Sequence, residues 1–252
     1  DTADTLTYSI TAGDDSSLFT IDASTGELST TGALDYEAAS SHVLTVTAED
    51  GIGGTGTATV TVDVTNVNET PVAVDNAFTT AENLGAIVLG DVSANDVDTA
   101  DTLTYSITAG NDSSLFAINA STGELTTTGD LDFETAAQHV LTVQVSDSAL
   151  SDSATVTVDV SDVNDAPVAV DNSFTLAENA GAGAAVGTVG ATDADTPGTP
   201  DTLTYSITAG NGSGLFAIDG STGALTTTGD LDFETTPQHV LTVQVSDDAA
   251  LT

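Results

Sequence analysis

Acidic side chains recur at fixed points along this 252-residue sequence. A Glu sits in Ala-Glu-Asn at Glu82 and Glu178. Asp-x-Asp pairs stand at Asp96/Asp98 and Asp193/Asp195. Asp-x-Glu pairs stand at Asp35/Glu37, Asp132/Glu134 and Asp232/Glu234, and a single Asp closes an apolar run at Asp50, Asp147 and Asp247. Donor sets made only of oxygen suit hard cations such as Ca²⁺ and Mg²⁺. Zinc or copper would want His or Cys; Cys is absent, and the three His lie elsewhere. The chain has 39 Asp plus Glu and no Lys or Arg. It therefore cannot neutralise clustered carboxylates with its own salt bridges, and their counter-charge must come from solution.

The elements that position these acids repeat. The string DTLTYSITAG begins at Asp4, Asp101 and Asp201, steps of 97 and 100 residues. LDYE at Leu34 returns as LDFE at Leu131 and Leu231, and HVLTV starts at His42, His139 and His239, with the same steps. The three extra residues fall in one loop, where Asp98–Asp101 becomes Asp195–Asp201. A period this long is a whole domain rather than a solenoid turn.

Within each unit the pattern is strict alternation. Leu103, Tyr105 and Ile107 alternate with Thr104 and Ser106. Leu141, Val143 and Val145 alternate with Thr142 and Gln144, and Val156, Val158 and Val160 with Thr155, Thr157 and Asp159. Period two with β-branched and aromatic residues predicts strands with one buried face. Turn chemistry breaks the runs at Asn111-Asp112, Ser121-Thr-Gly123 and Thr128-Gly-Asp130. No segment has a helical period. The fold class is all-β: tandem Greek-key β-sandwiches, immunoglobulin-like, of about seven strands each. Linkers that follow a strand and end at Pro, Asn66–Pro71 and Asp162–Pro167, divide the chain into units 1–69, 70–165 and 166–252. The first unit lacks two strands and the last lacks its seventh, which implies a segment of a longer array.

The ordered acids and linkers resemble those of the cadherin repeat over essentially the whole chain. Ala-Thr-Asp-Ala-Asp195, Leu131-Asp-Phe-Glu134 and Asp162-Val-Asn-Asp165 match that family's motifs. The Asp-Val-Asn-Asp-Ala-Pro linker and Thr-rich strands are similar to bacterial cadherin-like repeats of giant calcium-dependent (RTX-type) surface adhesins. The resemblance implies an elongated rod with about two or three Ca²⁺ at each junction. It implies ligands Asp35, Glu37, Asn66, Asn68, Glu69, Asp96, Asp98 and Asp147 at the first junction. At the second it implies Glu82, Asp132, Glu134, Asp162, Asn164, Asp165, Asp193, Asp195 and Asp247. Affinity in the range of extracellular modules, about 10⁻⁴–10⁻³ M, is expected. The family's second linker Asn is missing after Glu69 and Asp165. Asn66 stands where the second linker has Asp162, and Glu69 where it has Asp165, so the first junction is expected to hold ions more weakly.

The implied function is a non-enzymatic stalk or fibre segment of an extracellular or cell-surface adhesin. The alternative is a homophilic or glycan-binding module, which needs an unrepeated aromatic patch; there is no Trp. Partners are neighbouring repeats of the same long chain and other copies in a fibre or cell–cell contact. A formal charge of −39 opposes nucleic acid and anionic lipid. No apolar run approaches the roughly 18 residues of a membrane span. With 39% patterned hydrophobic residues the acidity does not signal disorder. Asp132/Glu134 has the composition of a glycosidase pair, but it recurs in every unit, as active sites rarely do. The repeated His reads as structural. Trypsin-like proteases and Lys–Asn isopeptide bonds find no substrate, and halophily is a compatible source of the acidic coat.

Overall fold

The computed structural model describes residues 5–195 and 202–248, and every regular element among them is a β-strand. The inserted loop expected between Asp195 and Asp201 lies largely outside the described residues. The first run of strands is β1 (Thr7–Ala12), β2 (Phe19–Ile21), β3 (Leu28–Thr30), β4 (Ser41–Glu49) and β5 (Thr55–Asp63). The middle run is β6 (Val72–Ala73), β7 (Asn76–Ala81), β8 (Val88–Asp91), β9 (Ala94–Asn95), β10 (Thr104–Ala109), β11 (Phe116–Ile118), β12 (Glu124–Thr127), β13 (Gln138–Ser146) and β14 (Ser151–Ser161). The last run is β15 (Val168–Ala169), β16 (Ala185–Thr188), β17 (Ala191–Thr192), β18 (Thr204–Ala209), β19 (Phe216–Ile218), β20 (Ala224–Thr227) and β21 (Thr242–Ser246).

The middle run forms a sandwich. One sheet has the order β10-β13-β14-β7 and the other β11-β12-β8, with β6 and β9 pairing beside them. The expected first and second strands are each broken in two. β6 pairs with β9, but after Val74 and Asp75 the chain crosses to β14 and pairs with it in parallel as β7. β8 pairs with β12, and Val92 donates its amide to Gly123 O at 2.9 Å before β9 turns to β6.

Alternation places the core as the sequence predicts. Leu141, Val143, Val156 and Val158 are fully buried and join Val92, Phe116, Leu125, Leu131 and Val160 in one cluster. Glycine is required after β10. Gly110 has φ +82, and a Cβ there would lie 2.0 Å from Val140 O. The repeated His is structural in placement: His42, His139 and His239 meet Phe19, Phe116 and Phe216 edge-on at 5.2, 5.2 and 5.1 Å. Burial pushes the His139 imidazole below its ordinary pKa.

The last run departs from the sequence expectation. The alternation from His239 predicts a strand as long as β13, yet β21 covers only Thr242–Ser246. The reason is pairing. In β13 the half Thr142–Ser146 has two partners, β10 and β14, whereas Gln138–Leu141 pairs only with β14. Among the described residues no strand takes the place of β14 beside β21, and only the half held by β18 is a strand. Residues 172–177, the counterpart of β7, form no strand for the same reason. Backbone amides of 238–241 are therefore expected to exchange with deuterium far faster than those of 138–141. Equal protection would show that the pairing account is wrong.

Candidate metal centre

The acids that recur along the sequence converge at two junctions. At the first, Asp35 and Glu37 lie on the loop between β3 and β4, Asn66–Glu69 on the segment between β5 and β6, Asp96 and Asp98 just after β9, and Asp147 just after β13. At the second, Glu82 follows β7, Asp132 and Glu134 lie between β12 and β13, and Asp162–Asp165 follow β14. Asp193 and Asp195 follow β17, and Asp247 follows β21. Strand ends and short loops hold all of them, so the sandwich fixes their spacing.

Carboxylate oxygens approach within 4.8 Å of one another in four groups at these junctions: Glu37, Glu69, Asp98; Asp96, Asp101, Asp147; Glu82, Asp132, Glu134; and Glu134, Asp162, Asp195. The first and last of these each take one acid from the lower unit, one from the linker and one from the upper unit. Glu134 belongs to two groups. A fifth group, Glu178, Asp232 and Glu234, repeats the pattern of Glu82, Asp132 and Glu134 in the last unit.

Backbone and side-chain amides pre-position several members. Glu82, only 1% exposed, accepts Phe133 N at 2.7 Å and Val163 N at 2.8 Å. At the first junction Asp98 accepts Asn66 Nδ2 at 2.8 Å and Glu69 N at 2.9 Å. At the second, Asp195 accepts Asp165 N at 2.6 Å. Asn68 donates to Asp147 at 2.8 Å, and Asn164 donates to Asp247 at the same distance, which leaves the amide oxygen of each Asn available as a ligand. Asp165 accepts Asn83 Nδ2 at 2.8 Å and lies outside the four groups, as do Asp35, Asp193 and Asp247. Asp35 accepts a loop amide, Ala38 N at 2.9 Å, and Asp132, within its group, also accepts Thr135 N at 2.7 Å.

Asp101 is the residue that sequence reasoning missed. It opens the repeated DTLTYSITAG string and reads there as the start of a strand. Its position three residues after Asp98 was the available signal.

The electrostatics fit a cation. Glu69 Oε2, Asp96 Oδ2 and Glu134 Oε2 are shielded from solvent and have no hydrogen-bond partner among the described residues. A shielded carboxylate oxygen without a donor is costly. Lost hydration, then the charges of Glu37 and Asp98, hold Glu69 above the ordinary carboxylate pKa. Lost hydration also raises Asp101, with Asp98 and Asp147 adding to it, and Asp162, with Asp195 and Glu82 adding to it. It raises Glu134 and Asp165 as well, with Glu82 contributing to both. Asp98 and Asp147 are lowered, chiefly by the amides of Glu69 and Leu150. A hollow of about 310 Å³ lined by Leu34, Tyr36, Val64, Val67 and Val97 adjoins the first junction. Its apolar wall reduces the water available to screen Asp35, Glu37 and Glu69, which also line it. The donor set is carboxylate and amide oxygen, some of it already orphaned, and it suits Ca²⁺.

The chain's sequence matches the family described as "Cadherin domain" over residues 1–65, 77–161 and 172–252. It is 35% identical to mouse Protocadherin Fat 4 over 252 residues, 94% of this chain and 5% of that protein. It is 33% identical over 260 residues to the Protocadherin-like wing polarity protein stan of Drosophila melanogaster, 96% of this chain and 7% of that one. The solved structure of mouse Cadherin-23 EC22-24 superposes with a TM-score of 0.67 at 27% identity, covering 96% of this chain and 81% of that one. The chain belongs to the cadherin family, and its fold is that of tandem cadherin repeats, a segment of the extracellular or cell-surface kind. It spans only a small part of the curated relatives it matches. Those relatives are animal proteins, so the expected likeness to bacterial RTX-type adhesins gains no support from them.

The pKa directions fix how the metal-free protein responds to acid. A carboxyl raised in the folded state penalises folding above its folded pKa, and that penalty fades as pH falls through it. Asp98 and Asp147 act oppositely: their contribution is present above the unfolded pKa of about 4 and is lost below it. Without metal, thermal stability should therefore rise as pH falls through the folded pKa values of the raised acids and drop below the ordinary carboxylate value of about 4. Melting curves of protein stripped on a chelating resin would test this, and a steady decline from neutral pH would contradict it.

Proposed function

We propose that this chain is a structural stalk segment of an extracellular adhesion protein, made of cadherin repeats that Ca²⁺ holds in line. The observation that carries the reading is the composition of two carboxylate groups, Glu37–Glu69–Asp98 and Glu134–Asp162–Asp195, each drawn from the unit below, the linker and the unit above. A cation at such a group ties three separately moving pieces of chain together. Without one, the same oxygens repel: a pair at ~4 Å costs about 1 kcal/mol in water and more as water is excluded. No Lys or Arg exists to relieve this.

The repeats are proposed to run over 1–69, 70–165 and 166–252, with about two or three Ca²⁺ at each junction. Glu37, Glu69 and Asp98 would hold an ion at the first junction, with Asp96, Asp101 and Asp147 beside it. Glu82, Asp132, Glu134, Asp162 and Asp195 would do so at the second, with the amide oxygens of Asn68 and Asn164 as further ligands. The bound ion supplies positive charge and an oxygen-coordination shell; chain residues supply the geometry. No reaction is involved, and the role is non-enzymatic. Neighbouring repeats of a longer chain are the direct partners, and copies in a fibre or cell–cell contact are the indirect ones. Origin in a bacterial surface adhesin rests on the Asp-Val-Asn-Asp-Ala-Pro linker and the Thr-rich strands alone.

Small-angle scattering should show an extended rod in Ca²⁺ and a shorter, more variable particle after chelation; an unchanged profile would defeat the calcium-junction reading. The second junction should bind more tightly. Asn66 donates to Asp98 where Asp162 supplies a further carboxylate. Converting the first linker with Asn66→Asp is expected to raise its Ca²⁺ affinity by about tenfold, through the added ligand charge. Calorimetry that finds the two junctions already equal in the unmodified chain would remove the basis for this ranking.

A further inference from the structure

The sequence contains one Asn–Gly step, Asn211–Gly212. It lies in the turn between β18 and β19, and the equivalent turns carry Asp14-Asp15 and Asn111-Asp112. We propose that Asn211 is a site of spontaneous conversion from amide to acid, driven by the neighbouring glycine amide.

In this step the Gly212 backbone nitrogen gives up its proton to solvent base and attacks the side-chain carbonyl carbon of Asn211. A C–N bond forms, the bond to Nδ2 breaks, and Nδ2 leaves as ammonia after taking up a proton. The five-membered imide then adds water at either carbonyl and opens to aspartate or isoaspartate. One water is consumed and one ammonia released, with no change of oxidation state.

The turn presents both reacting groups. Gly212 is exposed, its amide makes no hydrogen bond among the described residues, and a Cβ at this position would meet nothing within 4 Å. Asn211 Oδ1 accepts Phe216 N at 3.1 Å, which polarises the carbonyl toward attack, and Nδ2 donates to Phe216 O at 2.8 Å. The acid form has a ready template in the same chain. Asp14 fills the equivalent place and accepts Leu18 N at 2.7 Å and Phe19 N at 3.2 Å, so the turn closes around a carboxylate. Isoaspartate, in contrast, lengthens the backbone by one carbon. It would draw the clamp away from Phe216, which is 8% exposed and packs on His239.

Neighbouring candidates lack one feature or another. Asn111 is clamped to Phe116 in the same way, at 2.7 and 3.0 Å, but Asp112 follows it, and its side chain and charge hinder loss of the amide proton. The Asp–Gly steps at Asp50 and Asp219 present carboxylates, which are poorer electrophiles than an amide.

The whole chain, held warm in mildly alkaline buffer made with ¹⁸O water, tests this. It is then cut with a protease specific for acidic residues and read by mass spectrometry. Acid carrying ¹⁸O should appear at 211 before any other Asn. Gly212→Ala should slow it by about tenfold, because a Cβ removes the backbone freedom the attack requires. Asp112→Gly should make Asn111 react at a rate close to that of Asn211. The proposal is overturned if another Asn converts first, if Gly212→Ala leaves the rate unchanged, or if Asn211 reacts only in the urea-unfolded chain.

Discussion

Carboxylates facing one another with no cation of the chain's own are the constraint on which the junctions depend. In most proteins a crowded Glu or Asp finds a Lys or Arg within reach. Here Glu69, Glu134 and Asp162 are surrounded by other acids, and backbone amides are the main internal relief. Amides can stabilise a few, as they do for Asp98 and Asp147, because each N–H placed on an oxygen favours the ionised form. The supply of N–H groups runs out before the supply of oxygens, and Glu69 Oε2, Asp96 Oδ2 and Glu134 Oε2 are among those left over.

The sandwich makes that excess directional. Glu82 is almost fully buried and binds one amide from the loop before β13 and one from the linker, so it sets the start of the linker against the body of its own unit. From there Asn164 and the Asp165 amide reach residues of the next unit, Asp247 and Asp195. The first linker makes the same two contacts, from Asn68 to Asp147 and from the Glu69 amide to Asp98. These neutral donors give the junction a preferred approach even before charge is balanced.

Much of the fold was legible because alternation has one physical meaning. Leu141, Val143 and Val145 point to one face of β13, and all are fully buried. The Asp-x-Glu and Asp-x-Asp pairs were legible because they recur at the repeat spacing. What escaped depends on partners rather than on local sequence. Val74 and Asp75 look like ordinary strand residues, and only the choice between β9 and β14 splits their strand in two. The residues 238–241 keep the sequence of a strand but have no strand to pair with among the described residues. Asp101 was hidden by its membership of a strand-like string, since proximity to Asp96 and Asp147 arises from loop geometry.

The parallel pairing of β7 with β14 carries a consequence for how such a chain comes into being. Asn76 lies opposite Val156, so the first long strand of the unit waits for a partner eighty residues downstream. Pairings this distant in sequence are slow to close, because the loop entropy is lost before any contact rewards it. The linker follows β14 directly, so a unit closes only as its own tether is completed. A unit's first sheet is therefore complete only once its last strand is in place.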